Sequence, residues 1–290
     1  MLSPDILIAA LFNGLATGAI YALVALGLTL IYGVLHIINF AHGALLSMAL
    51  FAAFFSFSLL GINPYVAILL IAPVFFAFGY SLQRFVIGPV SHGDGRNMLL
   101  VTLGLAVFIE NALLYVFRAD TRTINFPYAF ENIDFGFTFI AMPRVVSFAA
   151  VFAVALTLWI LMSATDTGKA IRAVAKEKLG AELVGIDVAH IYAVTFGIGT
   201  ACVAIAACLL IPTYYVNPNV GEAFILIAFT IVVLGGMGSV PGALIGGFAI
   251  GIVESFSGLF LGESLGQVGI FLIFIAVLLV RPSGIFGAKA

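Results

Sequence analysis

Nine apolar runs follow one another from residue 6 to residue 281, covering roughly 6–33, 39–60, 64–83, 97–117, 143–163, 191–212, 222–237, 241–260 and 265–281. A hydrocarbon core of ~30 Å is crossed by a helix of about 20 apolar residues, so each run has about the length of a span. The runs are continuous rather than alternating, which argues against a membrane β-barrel. Helices are then the reading that satisfies every backbone N–H and C=O in lipid. Only 8% of the residues are charged and 63% are hydrophobic, whereas a soluble domain carries about 25% charged residues. The expected fold is therefore all-α: a polytopic helical membrane protein of about eight or nine spans, one permeation-type domain over residues 1–290. The seventh run is short and ends in GGMGSVPGA, the pattern of a broken or re-entrant element.

Nine spans put the termini on opposite sides. Placing the N-terminus outside leaves Arg84, Arg96, Lys169, Arg172, Lys176, Lys178, Arg281 and Lys289 inside and Arg118, Arg122 and Arg144 outside. That distribution obeys the positive-inside rule. The first residues, MLSPDILIAALFNG, hold no Lys or Arg and no small-residue cleavage pattern, so they read as a retained first span. The loop 118–143 is then external and aromatic-rich, as an interfacial segment is.

Glycines recur at spacing four: Gly14/Gly18, Gly238/Gly242/Gly246, Gly247/Gly251 and Gly258/Gly262/Gly266. Such spacing lines one helix face and lets backbones approach closely. Cys202 and Cys208 sit six apart in one apolar run, on different faces of a helix, and read as small packing residues. Two cysteines make no zinc site, and no metal site is expected. Residues 28–46 and 229–247 both pass from an apolar stretch through a Gly-containing break into Gly-Ala-Leu. Paired broken helices in two halves of a chain are a pointer to a transport site.

One segment departs from this apolar character. TDTGKAIRAVAKEKLGAELVGI, residues 165–186, holds four of the eleven basic residues and three of the thirteen acidic ones. Lys169, Arg172 and Lys176 share one helical face. Gly180 is expected to interrupt the helix, and a second short turn to end at Gly185 as a C-cap. Two readings fit this pattern: a solvated membrane-surface helix, or a docking element that sits in another protein's groove.

The same segment, TGKAIRAVAKEKLGAELVGIDV, resembles the cytoplasmic coupling loop of ABC-importer permeases of the branched-chain amino acid type. GAIYALVALGLTLIYGVLHIINFAHGAL (18–45) resembles that family's first two spans, VVLGGMGSVPGALIGGFAIGIVE (232–254) its Gly-rich seventh and eighth, and LLVRPSGIFG (278–287) its C-terminal signature. The resemblance covers almost the whole chain and is greatest to the smaller of the family's two sister permeases. It implies that a cytoplasmic coupling loop, residues 164–190, rests on an ATPase subunit, with Gly168, Lys169, Arg172, Ala173, Ala181, Gly185 and Ile186 at the docking positions. Where the family often has an Asn-Pro turn, this chain has Glu177-Lys178-Leu179-Gly180. The implied partners are cytoplasmic ATPase subunits, a second homologous permease, a soluble substrate-binding protein, membrane lipid and the small amino acid itself, with no nucleic acid. The implied location is the inner (plasma) membrane.

Polar groups at membrane depth are the candidates for a substrate route. They are Asn39 and His42 at the start of the second run, Glu110 and Asn111 in the fourth, and Glu254 in the eighth, with Asn13 in the first. Gly236 and Ser239 join them, because helix N-termini at a break supply donors for a carboxylate without any Arg. Each of these can equally be a buried packing or hydrogen-bonding group. His36 and His42 are six apart with no metalloprotease pattern, so no catalytic residue is expected. The chain holds no GxxxxGK[ST] phosphate-binding loop; it is expected to bind no cofactor, and ATP is used by a partner. An importer for leucine, isoleucine and valine, the same machinery for amides or urea, and an ion-coupled transporter using Glu110 and Glu254 all stay open at this stage.

Overall fold

The computed structural model describes residues 4–91, 95–126, 128, 131–134, 139–262, 265–281 and 284–285. Each of the nine apolar runs holds one apolar helix. They are α1 (Pro4–Leu35), α2 (Ala41–Leu60), α3 (Pro64–Ser81), α5 (Gly95–Phe117), α6 (Met142–Ala164), α9 (Val188–Leu210), α10 (Val220–Gly235), α11 (Val240–Leu261) and α12 (Gly266–Val280). α3 continues through a π turn, Leu82–Ile87, into the short α4 (Gly88–Ser91). Seven of these helices are long and apolar enough to cross a membrane, and α10 and α12, of 16 and 15 residues, are shorter apolar helices. The chain is a polytopic helical membrane protein. The charged segment forms α7 (Asp166–Lys176) and α8 (Lys178–Leu183).

In α1 and α9, 83% of the most apolar window is buried, against 22% in α5, α6 and α11. α1 and α9 are therefore the centre of the bundle, and α5, α6 and α11 turn most of their apolar surface outward, as lipid-facing helices do. Their contact is close because a glycine on each opens the way: a Cβ at Gly27 would stand 2.6 Å from the Gly199 carbonyl oxygen.

The most extensive pairing joins α1 to α11, which run antiparallel. A Cβ at Gly14 would come 2.7 Å from Ile252 Cα, and one at Gly18 2.6 Å from the Gly247 oxygen. The expected glycine faces of these two helices thus interleave, with Gly251 packed against Gly14 and Gly18. At the other end of the same pair, Gly33 meets Gly238. The two broken stretches picked out at 28–46 and 229–247 therefore lie side by side, at the end of the bundle that carries α7 and α8. Both cysteines are buried and free.

Within 118–143 the described residues include a two-stranded antiparallel ribbon, β1 (Asn132–Asp134) with β2 (Phe139–Ala141), Ile133 opposite Ile140. Arg122 exchanges both backbone hydrogen bonds with Val216, at 2.9 and 2.7 Å. Its guanidinium lies 5.7 Å from the ring centres of Phe54, Phe55 and Phe117, a cation–π setting. This stitches the loop to the α9–α10 connection. Lys289 and part of the 278–287 stretch lie outside the described residues.

Candidate functional site

α7 is started by Thr165, whose Oγ1 accepts the Gly168 N–H at 3.0 Å. Asp166 in its first turn and Lys176 in its last complement the helix dipole. The Asp166 carboxylate accepts from Lys169 Nζ at 2.9 Å, and that partner holds its carboxyl below the ordinary range. Ile171 and Val174 are buried, and they clamp α7 onto the bundle.

The helix breaks at Glu177, not at Gly180 as its glycine suggests. Glu177 is extended (φ −155°, ψ 102°), and its side chain accepts the Leu179 N–H at 3.3 Å. An acceptor able to cap α8 outweighs the weak breaking tendency of one glycine, so Gly180 sits inside α8. Gly185, at φ 87°, ends the segment as expected.

The docking candidates divide into two sets. Lys169, Arg172, Ala173 and Gly185 are exposed, whereas Gly168 and Ala181 are buried and Ile186 is half-buried. A Cβ at Gly168 would run into the carbonyl oxygens of Leu161 and Met162, so its hydrogen side chain lets α7 fold back on the end of α6. Sequence reasoning missed Leu179, Leu183 and Val184, which are 67%, 88% and 77% exposed. The signal was Leu179 and Leu183 at i and i+4, one face of α8. The segment therefore presents a cationic face on α7 beside an apolar one on α8, a combination found where a helix docks on a partner.

Asn39 and His42 lie deep in the bundle and are fully buried. The chain leaves α1 at His36 (φ 55°) and climbs back before α2 begins. Asn39 Oδ1 accepts the Ala41 N–H at 3.1 Å, and His42 Nε2 donates to the Val24 carbonyl at 2.9 Å. Among the described residues His42 Nδ1 and Asn39 Nδ2 have no hydrogen-bond partner. Gly43 and Gly221 then pack backbone to backbone, and Ser47 Oγ accepts the Gly221 N–H at 2.9 Å. The N-termini of α2 and α10 thus meet deep in the bundle, with Glu222 in the first turn of α10. Gly236 and Ser239 are elsewhere: they form the turn between α10 and α11, where Ser239 Oγ accepts the Gly242 N–H at 3.1 Å. Glu110 is half-buried, and Asn111 is exposed, donating to Val107 O at 2.8 Å.

Glu254 opens onto a cleft of about 920 Å³ between α1, α6, α11 and α12. Arg144 and Asn13 line the same cleft, hydrogen-bonded to each other. Tyr21 and Tyr214 stand beside the Glu254 carboxyl group. Arg144 and Glu254 form no ion pair with each other, so one cation and one anion face a shared space. Ile6, Ala9 and Leu259 supply apolar wall. Arg144 had entered the sequence reading only as a loop charge; its place two residues into α6, beside Asn13 across the cleft, is set by tertiary packing.

The model of the family described as "Branched-chain amino acid transport system / permease component" matches residues 10–280. The chain belongs to that family. It is 35% identical over 292 residues to the high-affinity branched-chain amino acid transport system permease protein BraD of Pseudomonas aeruginosa, covering 96% of this chain and 94% of that one. It is also 35% identical to the corresponding permease LivH of Escherichia coli K12, with the same shares covered. A probable LivH of Methanocaldococcus jannaschii is 30% identical over 91% of this chain and 88% of its own. A chain of PsaBC from Streptococcus pneumoniae, solved with a Fab, aligns at TM-score 0.44 and 17% identity over 97% of this chain and 92% of that one. The family resemblance drawn from 18–45, 167–188, 232–254 and 278–287 is borne out, and as a member of this permease family the chain is a transport subunit.

Proposed function

We propose that this chain is a membrane-spanning subunit of an ATP-driven importer that brings leucine, isoleucine and valine into the cell. The observation that carries the reading is the 35% identity over 96% of the chain to permeases named for branched-chain amino acid transport. The N-terminus is outside and α7–α8 cytoplasmic, in keeping with eight inside and three outside basic residues. Cytoplasmic ATPase subunits supply the energy, a second similar permease completes the membrane pathway, and a soluble external protein delivers the amino acid.

Arg172, Lys169 and Ala173 on α7 and the apolar Leu183 side of α8 meet the ATPase. When ATP draws the ATPases together, the load passes through Ile171 and Val174 into α1, α6 and α9, against which α7 packs. The cleft of Arg144 and Glu254 is the outer part of the route. An aliphatic amino acid is a zwitterion with an apolar tail; Arg144 draws its carboxylate, Glu254 its ammonium, and Ile6, Ala9 and Leu259 accept the tail. The test is uptake of radiolabelled leucine by cells expressing Arg172→Glu in place of the native chain. Uptake is expected to fall at least tenfold with the protein still in the membrane. Normal uptake would remove α7 from the coupling role.

A further inference from the structure

A second cavity, of about 270 Å³, lies at the α7–α8 end, between the π turn, α4, α5, α8 and α9. It is distant in the fold from the Arg144–Glu254 cleft and shares no residue with it. Four charged or amide side chains line it, Gln83 and Arg84 from the π turn and Lys178 and Glu182 from α8, with the Tyr192 side chain of α9 beside them. Met98 and Val188 give it an apolar wall. Gln83 is 1% exposed, and its amide oxygen has no hydrogen-bond partner among the described residues, a state expensive to leave unmade. Arg84 is held only loosely, 3.7 Å from Asp187. π turns inside α-helices recur at functional sites. The volume is just under the ~300–1,000 Å³ of pockets for drug-sized ligands, which suits a small metabolite.

We infer that this cavity binds a free aliphatic α-amino acid, the transported product itself, on the cytoplasmic side. The inference rests on the orientation and cargo proposed above. Arg84 and Lys178 receive the carboxylate, Glu182 and the unpaired Gln83 oxygen receive the ammonium, and Met98 and Val188 contact the side chain. Two of these four groups belong to α8 and two to the helix that continues α3. An occupant therefore ties the coupling helix to the bundle and restrains the movement that drives import. Amino acid accumulating inside then slows its own uptake.

The experiment is equilibrium binding of radiolabelled L-leucine to the purified full-length chain in phosphatidylcholine nanodiscs. Saturable binding is expected. The chain carries Arg144→Gln and Glu254→Gln throughout, which removes the charges of the outer cleft at which leucine is also proposed to bind; on that background binding should weaken tenfold or more when Arg84→Gln or Glu182→Gln is added. Among the described residues Glu182 is in no salt bridge, and an unchanged size-exclusion profile checks that its variant keeps the fold. Neither 4-methylpentanoate nor 3-methylbutylamine, each lacking one charge of the zwitterion, should compete. Absence of binding, binding indifferent to Arg84→Gln and Glu182→Gln, or competition by the lone carboxylate as strong as by leucine would each overturn the inference. Because binding is read without transport, a failed import reading and a failed cavity give different results: the first appears in the uptake of Arg172→Glu, the second only here.

Discussion

Single side chains in this permease separate by what they face. Arg172 is exposed and Gly168 is packed against carbonyl oxygens of α6, although both are among the proposed docking positions. Gly168→Val is therefore expected to act through packing, reducing the amount of folded protein, while Arg172→Glu leaves the amount unchanged and removes uptake; membrane immunoblots beside uptake distinguish them. In the cleft, Glu254→Gln keeps shape and removes the anion. If Glu254 receives the ammonium of the cargo, leucine uptake should fall about tenfold or more, the scale of one charge-assisted hydrogen bond at ~1.5–3 kcal/mol. Unchanged uptake kinetics would exclude it from the route. Of the polar residues read from the sequence, Asn39, His42, Glu254 and the charged face of α7 were legible because a polar atom in an apolar run is rare. Arg144 was not, because its partner Asn13 is 131 residues away and no local pattern signals a long-range pair. Leu183 was hidden by being an ordinary apolar residue in a charged neighbourhood.

Helices here are held by glycine contacts and by caps. Gly18→Leu should separate α1 from α11, since even a Cβ would stand 2.6 Å from a carbonyl oxygen; overpacking of this kind costs about 1–3 kcal/mol or more. Gly104→Leu is the matched control, because nothing lies within 4 Å of a Cβ there. Thermal unfolding in detergent should fall for the first and not for the second. At the start of α9, Asp187 accepts the His190 N–H at 2.9 Å, and that bond, with a smaller contribution from Arg84, holds its carboxyl below the ordinary range. The cap's contribution is then fully present above the unfolded carboxyl pKa of about 3.9 and is lost as pH falls through the lower folded value. Asp187→Ala should cost about 1 kcal/mol at neutral pH, and the gap from the native chain should close under strong acid. The nine helices were legible from run length alone, as was the shortness of α10. The break of the charged segment was not, because a glycine marks where a helix can stop and an extended Glu177 marks where this one does.

At the scale of the whole molecule, α1 and α9 form a buried axis, and less buried helices surround it. The Arg144–Glu254 cleft lies toward the α1 start of the bundle, and the cationic α7 with its apolar neighbour α8 lies at the other end. That division is what an importer needs: a place for the cargo on one side and a place for mechanical load on the other. The sequence carries the membrane class and, through the family resemblance, the segment proposed to couple the chain to an ATPase. It does not carry how α2 and α10 meet at Gly43 and Gly221, residues 178 apart in the chain, a juxtaposition that only packing creates. The measurement that bears most directly on the central claim is a mild-detergent co-purification of the tagged chain from its own membranes, with identification of every protein retained. The account predicts an ATPase subunit and a second, similar permease; Arg172→Glu combined with Leu183→Asp should release the ATPase and leave the permease bound. A chain that emerges alone and still moves leucine in energised vesicles lacking ATP would contradict it.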